Sequence, residues 1–377
     1  MRGRLIVTKT NKPDISIIVS CYKGGDSLPI CLDALLSQSL KNIEIICIND
    51  GSPDNTADVL RGYASRDRRI IAITNERNLG ISESRNKGIS LSKADYIMFC
   101  DADDYYEPSM CEDMLEAIQD SKADIAISEI RVIYEAHREL KYSDDNYYSL
   151  KFSGLEEVNE DVILNTDLSP TNKIFRKSII SEHNIRFPEG LYYEDAYFCS
   201  AYLCCSNSIY YLNEKLYNYI RHKKSTMSNT FSSKVDKDPA IDHLYIAFKL
   251  FGFLEENGLL EKYNNLFWQL FYSFELFALN NSKTRKRVKK VKKEALSFIS
   301  LNKKSFDGAQ LFVRENILGV NTKGLKINKV KVKKALIRVM PTYRLQISNA
   351  QRLRALKNNS AQLNIKISAI EMRLKHR

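Results

Sequence analysis

The first hundred residues predict an α/β fold built on a parallel, doubly wound sheet. Three observations support this prediction: apolar runs of strand length recur, amphipathic stretches separate them, and polar clusters follow three of the runs. Continuous apolar runs are typical of strands that helices cover on both faces. In such sheets, ligands bind beyond the carboxyl ends of the strands. The sequence therefore predicts a ligand site at that edge of the sheet.

The predicted elements alternate in regular order. The strands are Ile15–Ser20, Ile43–Ile48, Ile70–Thr74 and Tyr96–Cys100. The helices are Leu28–Ser39, a stretch ending near Ala64 that Asp54 or Asn55 can cap, and Ser82–Ser92. The three polar clusters are Ser20–Lys23, Asn49–Ser52 and Asp101–Asp104.

The pattern changes after Cys111. A helix and a strand, Ile125–Ser128, come first, and we interpret the Tyr-rich stretch 134–152 as a loop. We expect helices on both sides of 192–202, and a helical, increasingly basic region beyond about Asp236.

The composition is that of a soluble protein able to bury a core, with 44% hydrophobic and 27% charged residues. Eight cysteines without a Cys-x-x-Cys pair favour a reducing compartment. The N-terminus carries no apolar segment like that of a signal peptide. The most apolar stretch, Leu266–Leu279, is interrupted by polar residues and is interpreted as a buried helix. We therefore expect a cytoplasmic protein.

Charge is distributed very unevenly. Residues 283–377 hold 26 Lys and Arg against 4 Asp and Glu, a net charge of +22, while residues 1–282 carry −11. Such asymmetry predicts that the tail meets a polyanion or an anionic membrane.

The acidic turn Asp101–Asp104 predicts a cation site. Three carboxylates within four residues repel one another unless a cation offsets their charge. Oxygen ligands suit Mg²⁺ or Mn²⁺, and such an ion can neutralise charge on a departing diphosphate. A solvated turn capping the next helix is the alternative.

Four segments together resemble the ordered signature of glycosyltransferase family 2. They are Ile15–Tyr22 (ISIIVSCY), Asn49–Ser52 (NDGS), Asn78–Gly80 with Arg85–Gly88 (NLG and RNKG), and Asp101–Asp104 (DADD). The resemblance implies a GT-A fold, a nucleoside-diphosphate sugar donor, a divalent metal ion and inversion at the anomeric carbon. From the change of pattern along the chain, we expect a catalytic domain at residues 1–235 and a helical region at 236–377, with the basic tail from about 283.

The resemblance also implies roles for single residues on the nucleotide-sugar side. Ser20 and Tyr22 match positions that line the base, and Asp50 matches a carboxylate that accepts a hydrogen bond from uracil. Arg85 matches a basic residue near the nucleotide, although pairing with a surface carboxylate is its alternative. Asp101 matches the aspartate of the ribose or metal shell, and Asp103 matches the direct metal ligand.

Glu194-Asp195 resembles the Glu-Asp motif of the family, in which the aspartate is the catalytic base. An inverting transfer needs one base to take the proton of the acceptor hydroxyl. The neighbouring aromatic residues would raise a carboxylate pKa and form a wall for sugar stacking. That wall would comprise Tyr192, Tyr193, Tyr197 and Phe198. An acidic helix N-terminus is the alternative.

Two further segments resemble parts of the family that lie near the acceptor or the diphosphate. Asn172-Lys173 matches a segment on the acceptor side, with a surface turn as the alternative. Arg221, His222 and Ser225 belong to a segment that closes over the diphosphate. There His222 matches a third metal ligand, with a solvated histidine as the alternative.

The basic tail has the pattern of membrane-surface helices. Residues 283–293 and 323–338 interleave Lys and Arg with Val, Leu and Ile, which favours an anionic lipid surface. From Leu353 a 3-4 spacing of apolar residues indicates either a short coiled coil, hence an oligomer, or packing on the body. Nucleic acid is disfavoured because Tyr343 is the single aromatic residue between Lys323 and Arg377.

These observations predict an inverting, metal-dependent, non-processive glycosyltransferase. It would move a sugar from a UDP-sugar to a lipid-linked or polysaccharide acceptor at the inner face of the cytoplasmic membrane, as a peripheral protein. The alternatives are a sugar nucleotidylyltransferase and a degenerate protein that binds a nucleotide sugar or a polyanion.

Overall fold

The structure is a computed structural model of the 377-residue chain. It describes residues 12–136, 139–142, 150–221, 239–281 and 285–302. The chain divides into two compact units, Met1–Ser233 and Lys234–Arg377. The described part of the first unit is α/β, and that of the second is helical.

The first unit contains the strands and seven helices among its described residues. The strands are β1 Ile15–Cys21, β2 Ile43–Asn49, β3 Ile70–Thr74, β4 Tyr96–Asp101, β5 Tyr105–Tyr106, β6 Ile125–Ala136, β7 Glu139–Tyr142, β8 Gly154–Glu157, β9 Lys173–Arg176 and β10 Ser208–Arg221. The helices are α1 Leu28–Leu36, α2 Thr56–Ala64, α3 Ile81–Leu91, α4 Met110–Asp120, α5 Glu160–Asn165, α6 Lys177–Glu182 and α7 Glu194–Cys205.

These strands form one sheet in the order β3-β2-β1-β4-β9-β6-β10-β5, with β7 paired to β6 and β8 to β10. The first four are parallel to one another, as the sequence predicts. Strand β9 lies antiparallel between β4 and β6, while β6 and β10 are parallel. The sheet is therefore mixed, and the half formed by β1 to β4 is parallel.

Helices cover both faces of the parallel half. On one face, Ile15, Ile17 and Val19 of β1 share a core with apolar residues of α1, α2 and α4. On the other face, Gly88 of α3 lies against Ile18, so closely that an added Cβ would be 2.4 Å from Ile18 Cγ2. Each buried Val, Leu or Ile contributes roughly 1.5–3 kcal/mol.

The sequence-based assignment is wrong in the second half of this unit. The predicted loop 134–152 includes the end of β6 and the whole of β7, which pair as a hairpin. A long strand, β10, follows α7 where a helix was expected. Its tyrosines favour a half-buried pleated surface, so the strand lacks the continuous apolar run that marks β1 and β2.

The described part of the second unit comprises α8 Pro239–Glu256, α9 Leu260–Asn281 and α10 Arg285–Leu301. The prediction of a buried helix at 266–279 is confirmed, because Leu266, Phe267 and Trp268 of α9 are completely buried. Among the described helices, none combines the length and apolar character needed to cross a bilayer.

Helix α10 uses its apolar stripe inside the second unit. Val291 and Ala295 are completely buried, and Phe298 stacks on Phe248 of α8 at 4.4 Å. Val291 and Ala295 are therefore not available to lipid, whereas Val288 is half-buried, and lipid binding by α10 stays a prediction. The segment 323–338 and the heptads from Leu353 lie outside the described residues.

Candidate active site

The register of the parallel strands brings the predicted polar clusters to one edge of the sheet. Ser20 of β1 pairs with Asp101 of β4, and Cys21 pairs with Asn49 of β2. The backbone N–H of Asp50 donates to the carbonyl of Cys21 at 2.8 Å, which extends this pairing by one residue. Ser20, Asp50 and Asp101 therefore lie at the same edge, as the sequence predicts.

The three carboxylates of the acidic turn differ in their environment. Asp101 and Asp103 are half-exposed, whereas Asp104 is buried. Asp104 accepts hydrogen bonds from the Tyr217 hydroxyl at 2.6 Å and from the backbone N–H of Ile220 at 2.7 Å. Burial, reinforced by the charges of Asp103 and Asp101, raises the pKa of Asp104 well above its usual value. Asp104 therefore ties the turn to the end of β10 and leaves two carboxylates accessible.

Two accessible carboxylates fit a divalent ion. Mg²⁺ is usually held by one or two carboxylates together with phosphate and water oxygens, and Asp101 and Asp103 supply such oxygens. Within the described ranges, no group of three or more His, Cys, Asp or Glu side chains is placed to hold an ion alone. The predicted third ligand, His222, lies outside the described residues.

The tie between the acidic turn and β10 should be measurable as stability. We expect Tyr217→Phe to lower the free energy of unfolding by about 1–3 kcal/mol, because it leaves a buried carboxylate oxygen without its donor. Urea denaturation would measure the change. Tyr63→Phe is the control, since the Tyr63 hydroxyl bonds to Asp33 at an exposed position. Equal losses in the two variants would contradict this role for Asp104.

Asp50 organises the loop between β3 and α3. Its carboxylate accepts hydrogen bonds from Asn75 Nδ2 at 2.9 Å and from the backbone N–H groups of Leu79 and Gly80 at 2.9 and 2.7 Å. Gly51, with φ of +62°, lets this loop pass closely, because an added Cβ would lie 2.4 Å from the Arg77 carbonyl carbon. Asp50 thus shapes the base side of the predicted pocket, and its contact with a base remains a prediction.

Ser20 and Tyr22 also lie at this edge. The Ser20 hydroxyl is buried and has no hydrogen-bond partner within the described part of the chain. The Tyr22 side chain is exposed, and the ammonium of Lys23 lies 5.2 Å from the centre of its ring. An unsatisfied hydroxyl and an exposed ring are compatible with the predicted role of lining a base.

Arg85 is buried and forms ion pairs with two carboxylates, of which Asp101 is half-exposed, so its contact with a nucleotide stays a prediction. Its guanidinium donates to Asp101 Oδ1 at 2.9 Å and to Glu194 Oε1 at 3.0 Å. Burial alone would lower the Arg85 pKa, but the carboxylates of Asp101, Glu194 and Asp195 raise it above its usual value. Arg85 therefore stays charged and joins the acidic turn to the start of α7.

Glu194 and Asp195 form the first turn of α7. Burial, and then the charge of Glu194, raises the Asp195 pKa to about 7. Burial also raises the Glu194 pKa, against the lowering effect of Arg85. Tyr193, which precedes the pair, has φ of +66°, a conformation that costs a non-glycine residue about 1 kcal/mol or more. A half-buried carboxylate that titrates near 7 is suited to act as a general base.

The predicted aromatic wall is only partly available. Phe198 is completely buried and stacks on Phe187 at 4.0 Å, with Phe99 edge-on to both rings. It therefore packs the core and cannot stack on a sugar. Tyr192, Tyr193 and Tyr197 are half-exposed.

Helix α3 holds the loop that leads into α7. Asn86 donates to the carbonyl of Phe187 at 2.9 Å and accepts from its N–H at 2.8 Å. The Ser82 hydroxyl donates to the carbonyl of Pro188 at 2.8 Å. Lys87 reaches the other way and donates to Asn75 Oδ1 at 2.7 Å. The segment Arg85–Gly88 therefore connects the nucleotide side of the site with the predicted base.

Asn172 and Lys173 lie inside the sheet, so the alternative of a surface turn is wrong. Both side chains are completely buried. Asn172 donates to the carbonyl of Ser128 at 2.7 Å, and Lys173 donates to Asn172 Oδ1 at 2.9 Å. The ammonium of Lys173 also lies 3.6 Å from Asp167 Oδ2. They support the site from within the sheet and have no exposed surface with which to touch an acceptor.

Arg221 ends β10 one residue after Ile220, so the bond from Ile220 N–H to Asp104 brings it towards the acidic turn. Its guanidinium lies 5.7 Å from the centre of the Tyr219 ring and donates to the Tyr134 hydroxyl at 3.4 Å. His222 and Ser225 lie outside the described residues, so their roles stay predictions.

Four residues that shape the site were missed by the sequence reasoning: Ser82, Asn86, Asp104 as a structural carboxylate, and Asp167. Asn86 belongs to the RNKG motif and Asp104 to the DADD motif, but the sequence does not reveal the partners of these side chains. Asp167 belongs to no motif, yet its charge contributes to the raised pKa of Asp195.

Comparison with known proteins identifies the family of the chain. The model of the family described as glycosyl transferase family 2 matches residues 16–183. The putative glycosyltransferase EpsH of Bacillus subtilis is 30% identical over 264 residues, which cover 67% of this chain and 72% of EpsH. The poly(ribitol-phosphate) beta-glucosyltransferase of Bacillus spizizenii is 30% identical over 182 residues, covering 46% of this chain and 27% of that protein.

A solved structure extends the comparison to the fold. S. aureus TarS residues 1–349 in complex with UDP-GlcNAc superpose with a TM-score of 0.60 at 19% identity, covering 88% of this chain and 89% of that one. The fold is therefore GT-A, and the protein is a glycosyltransferase of bacterial type. The chain belongs to glycosyltransferase family 2. The alternatives of a nucleotidylyltransferase and a degenerate binding protein are set aside.

Proposed function

We propose that this enzyme transfers one sugar, with inversion, from a UDP-sugar to a hydroxyl of a polysaccharide or lipid-linked acceptor, and that the transfer depends on Mn²⁺ or Mg²⁺. One observation carries the proposal. The buried guanidinium of Arg85 joins Asp101, one of the two carboxylates suited to a metal ion, to the start of α7, where the pKa of Asp195 is raised to about 7. The group proposed to activate the donor, Asp101, is thus connected to the turn that carries the group proposed to deprotonate the acceptor, Asp195.

Each residue has a distinct task in the proposed reaction. Asp101 and Asp103 would hold the divalent ion, which when bound offsets charge on the diphosphate. Asp195 would take the proton of the acceptor hydroxyl. The hydroxyl oxygen would then bond to the anomeric carbon while the bond from that carbon to the diphosphate oxygen breaks. Because one displacement occurs, the anomeric configuration inverts. Glu194, paired with Arg85, stays in place beside the base.

UDP is the proposed nucleotide for two reasons. TarS, whose fold this chain shares, was solved with UDP-GlcNAc. Asp50, Ser20 and the exposed ring of Tyr22 lie together at the strand edge where the base is expected. The Asp50 carboxylate holds the loop that would bound the base pocket.

A panel of nucleotide sugars tests the proposal. With Mn²⁺ present, UDP and at least one UDP-sugar should raise the melting temperature, because a ligand that binds the folded state alone stabilises it by mass action. GDP and ADP serve as controls of equal charge. A larger effect from GDP would overturn the choice of nucleotide, and no effect from any nucleotide would overturn the donor site.

The acceptor is proposed to lie at the inner face of the cytoplasmic membrane, because the chain carries a cationic surface suited to anionic lipid. Helix α10 has seven Lys and Arg among residues 285–293 and no acidic residue in its first turn. Cations at a helix N-terminus oppose the helix dipole, so folding alone does not explain this run. Val291, Ala295 and Ile299 of this helix are buried, and the attachment is therefore proposed to be mainly electrostatic.

Vesicle co-sedimentation tests this attachment. The full chain should pellet with phosphatidylglycerol vesicles and not with phosphatidylcholine, and added salt should release it. Replacing Lys286, Lys289, Lys290 and Lys293 together by Gln should weaken binding at least about tenfold, since each basic residue near the surface contributes about 1 kcal/mol. These four side chains are exposed, so the fold should persist. If the full chain binds RNA tightly but does not bind anionic vesicles, the membrane proposal is wrong.

A further inference from the structure

Arg85 occupies an unusual position for a residue expected to bind a nucleotide. Its side chain is 5% exposed, and its two terminal nitrogens bond to carboxylates from different elements, Asp101 at the end of β4 and Glu194 at the start of α7. The guanidinium carbon also lies 5.2 Å from the centre of the Phe187 ring. The guanidinium is thus enclosed by residues of the protein itself.

We propose that Arg85 is a positioning residue that couples the metal side of the site to the catalytic base. By holding Asp101 and Glu194 simultaneously, it sets the first turn of α7, and with it Asp195, in register with the acidic turn. This inference rests on the proposed function, because it assigns Asp101 to the metal side and Asp195 to the base.

The chemistry of arginine suits this task. A guanidinium is planar and presents separate N–H groups in fixed directions, so one side chain can bond two carboxylates that approach from different elements. A lysine ammonium keeps the charge but lacks that fork. The distances of 2.9 and 3.0 Å are those of charge-assisted hydrogen bonds.

The surroundings of Arg85 can transmit a displacement to the base. Phe187 stacks on Phe198 of α7, and its backbone is bonded in both directions to Asn86, the neighbour of Arg85. Helix α3 is itself packed closely on β1 through Gly88. A shift of Asp101 therefore has a continuous path of packed and hydrogen-bonded groups to α7.

The charges around Asp195 give the coupling a second signature. The charges of Glu194 and Asp167 raise the pKa of Asp195, whereas the charge of the Arg85 guanidinium lowers it. The buried ammonium of Lys173 lies beside Asp167. A divalent ion at Asp101 would compete with Arg85 for the same carboxylate. Coupling of this kind is reciprocal, so binding on the metal side must change the first turn of α7.

Hydrogen exchange of the full chain tests the coupling with UDP and Mn²⁺ as probes. In the unsubstituted protein, adding both should change the exchange rates of backbone amides in 187–198. Arg85→Lys and Glu194→Gln, which alter the bridge at its centre and at its α7 end, should abolish that ligand-dependent change. Arg69→Lys is the matched control, because Arg69 forms an ion pair with Asp67 remote in sequence from both carboxylates. An unchanged response in both bridge variants would overturn the proposal.

Slow hydrolysis of the UDP-sugar selected by the nucleotide panel supplies a second readout. Arg85→Lys should lower the turnover number about 10²-fold, the effect of a small displacement of a reacting group, and should leave the acidic limb of the pH profile in place. Arg85→Gln should move that limb to higher pH. Wild-type rates in Arg85→Lys would overturn the proposal. If the unsubstituted protein binds no nucleotide, the proposed function fails instead, which separates the two outcomes.

Discussion

Replacing Asp195 by Asn is expected to lower turnover at least ~10²-fold, the lower range for loss of a general base. The amide of the Asn side chain has the same size as the carboxylate but cannot take the proton of the acceptor hydroxyl. Affinity for the UDP-sugar should stay nearly unchanged, because Asp195 lies on α7, whereas the residues proposed to bind the nucleotide lie at the ends of β1, β2 and β4. Steady-state kinetics together with calorimetric titration of the donor would separate the two effects.

Glu194→Gln is the matched control for this variant. Both substitutions remove one charge from the first turn of α7, but Glu194 is bonded to Arg85 whereas Asp195 is bonded to the N–H of Ala196. Glu194→Gln should lose activity through displaced geometry and keep a titrating base. If it is the inactive variant and Asp195→Asn remains active, the base has been assigned to the wrong carboxylate.

The raised pKa of Asp195 predicts how rate and stability depend on pH. The carboxylate must be ionised to accept a proton, so turnover should rise as pH increases through about 7 and then level off. The folded-state pKa exceeds the unfolded value of about 3.9. The resulting stability is present below that value and is lost as pH rises through about 7. Asp195→Asn should therefore melt higher than the unsubstituted protein at pH 8, and this advantage should shrink as pH falls and vanish below about pH 3.9.

The parallel half of the fold could be predicted because its strands are buried on both faces. Ile15–Ser20 and Ile43–Ile48 are continuous apolar runs, and their pairing follows from the right-handed βαβ connections that such runs require. Strands β9 and β10 could not be predicted in this way. Strand β10 is rich in tyrosine and has no regular pattern of buried and exposed residues. Strand β9 has only four residues, and the first of them is a buried lysine.

The position of the site was predictable, whereas its internal bonding was not. Polar residues after β1, β2 and β4 had to meet once the strands were parallel. That Asp104 bonds to Tyr217, or that Arg85 bonds to Glu194, depends on pairs separated by 113 and 109 residues. No local pattern records such pairs. The same limit explains why Phe198 was expected at a sugar and lies in the core. The tyrosines that precede it are half-exposed, but its three-dimensional neighbours are Phe99 and Phe187.

The largest effect on donor binding is expected from Asp103→Asn. The proposed metal ion would offset repulsion between the diphosphate and the carboxylates of Asp101 and Asp103. Because Asp104 is buried and bonded to β10, it cannot replace Asp103 as a ligand. The variant should therefore lose the enhancement of UDP affinity that Mn²⁺ gives the unsubstituted protein. Calorimetric titrations of UDP, with Mn²⁺ and with a chelator, would measure this ratio.

Two effects of opposite sign make that ratio the decisive quantity. Removing the negative charge of Asp103 should slightly strengthen UDP binding without metal, because the repulsion between this carboxylate and the diphosphate is lost. With metal, binding should weaken because one ligand is lost. Asp120→Asn is the control: it removes the same charge at the exposed end of α4 and should leave both affinities unchanged. If Mn²⁺ enhances UDP binding equally in Asp103→Asn and in the unsubstituted protein, Asp103 is not a metal ligand.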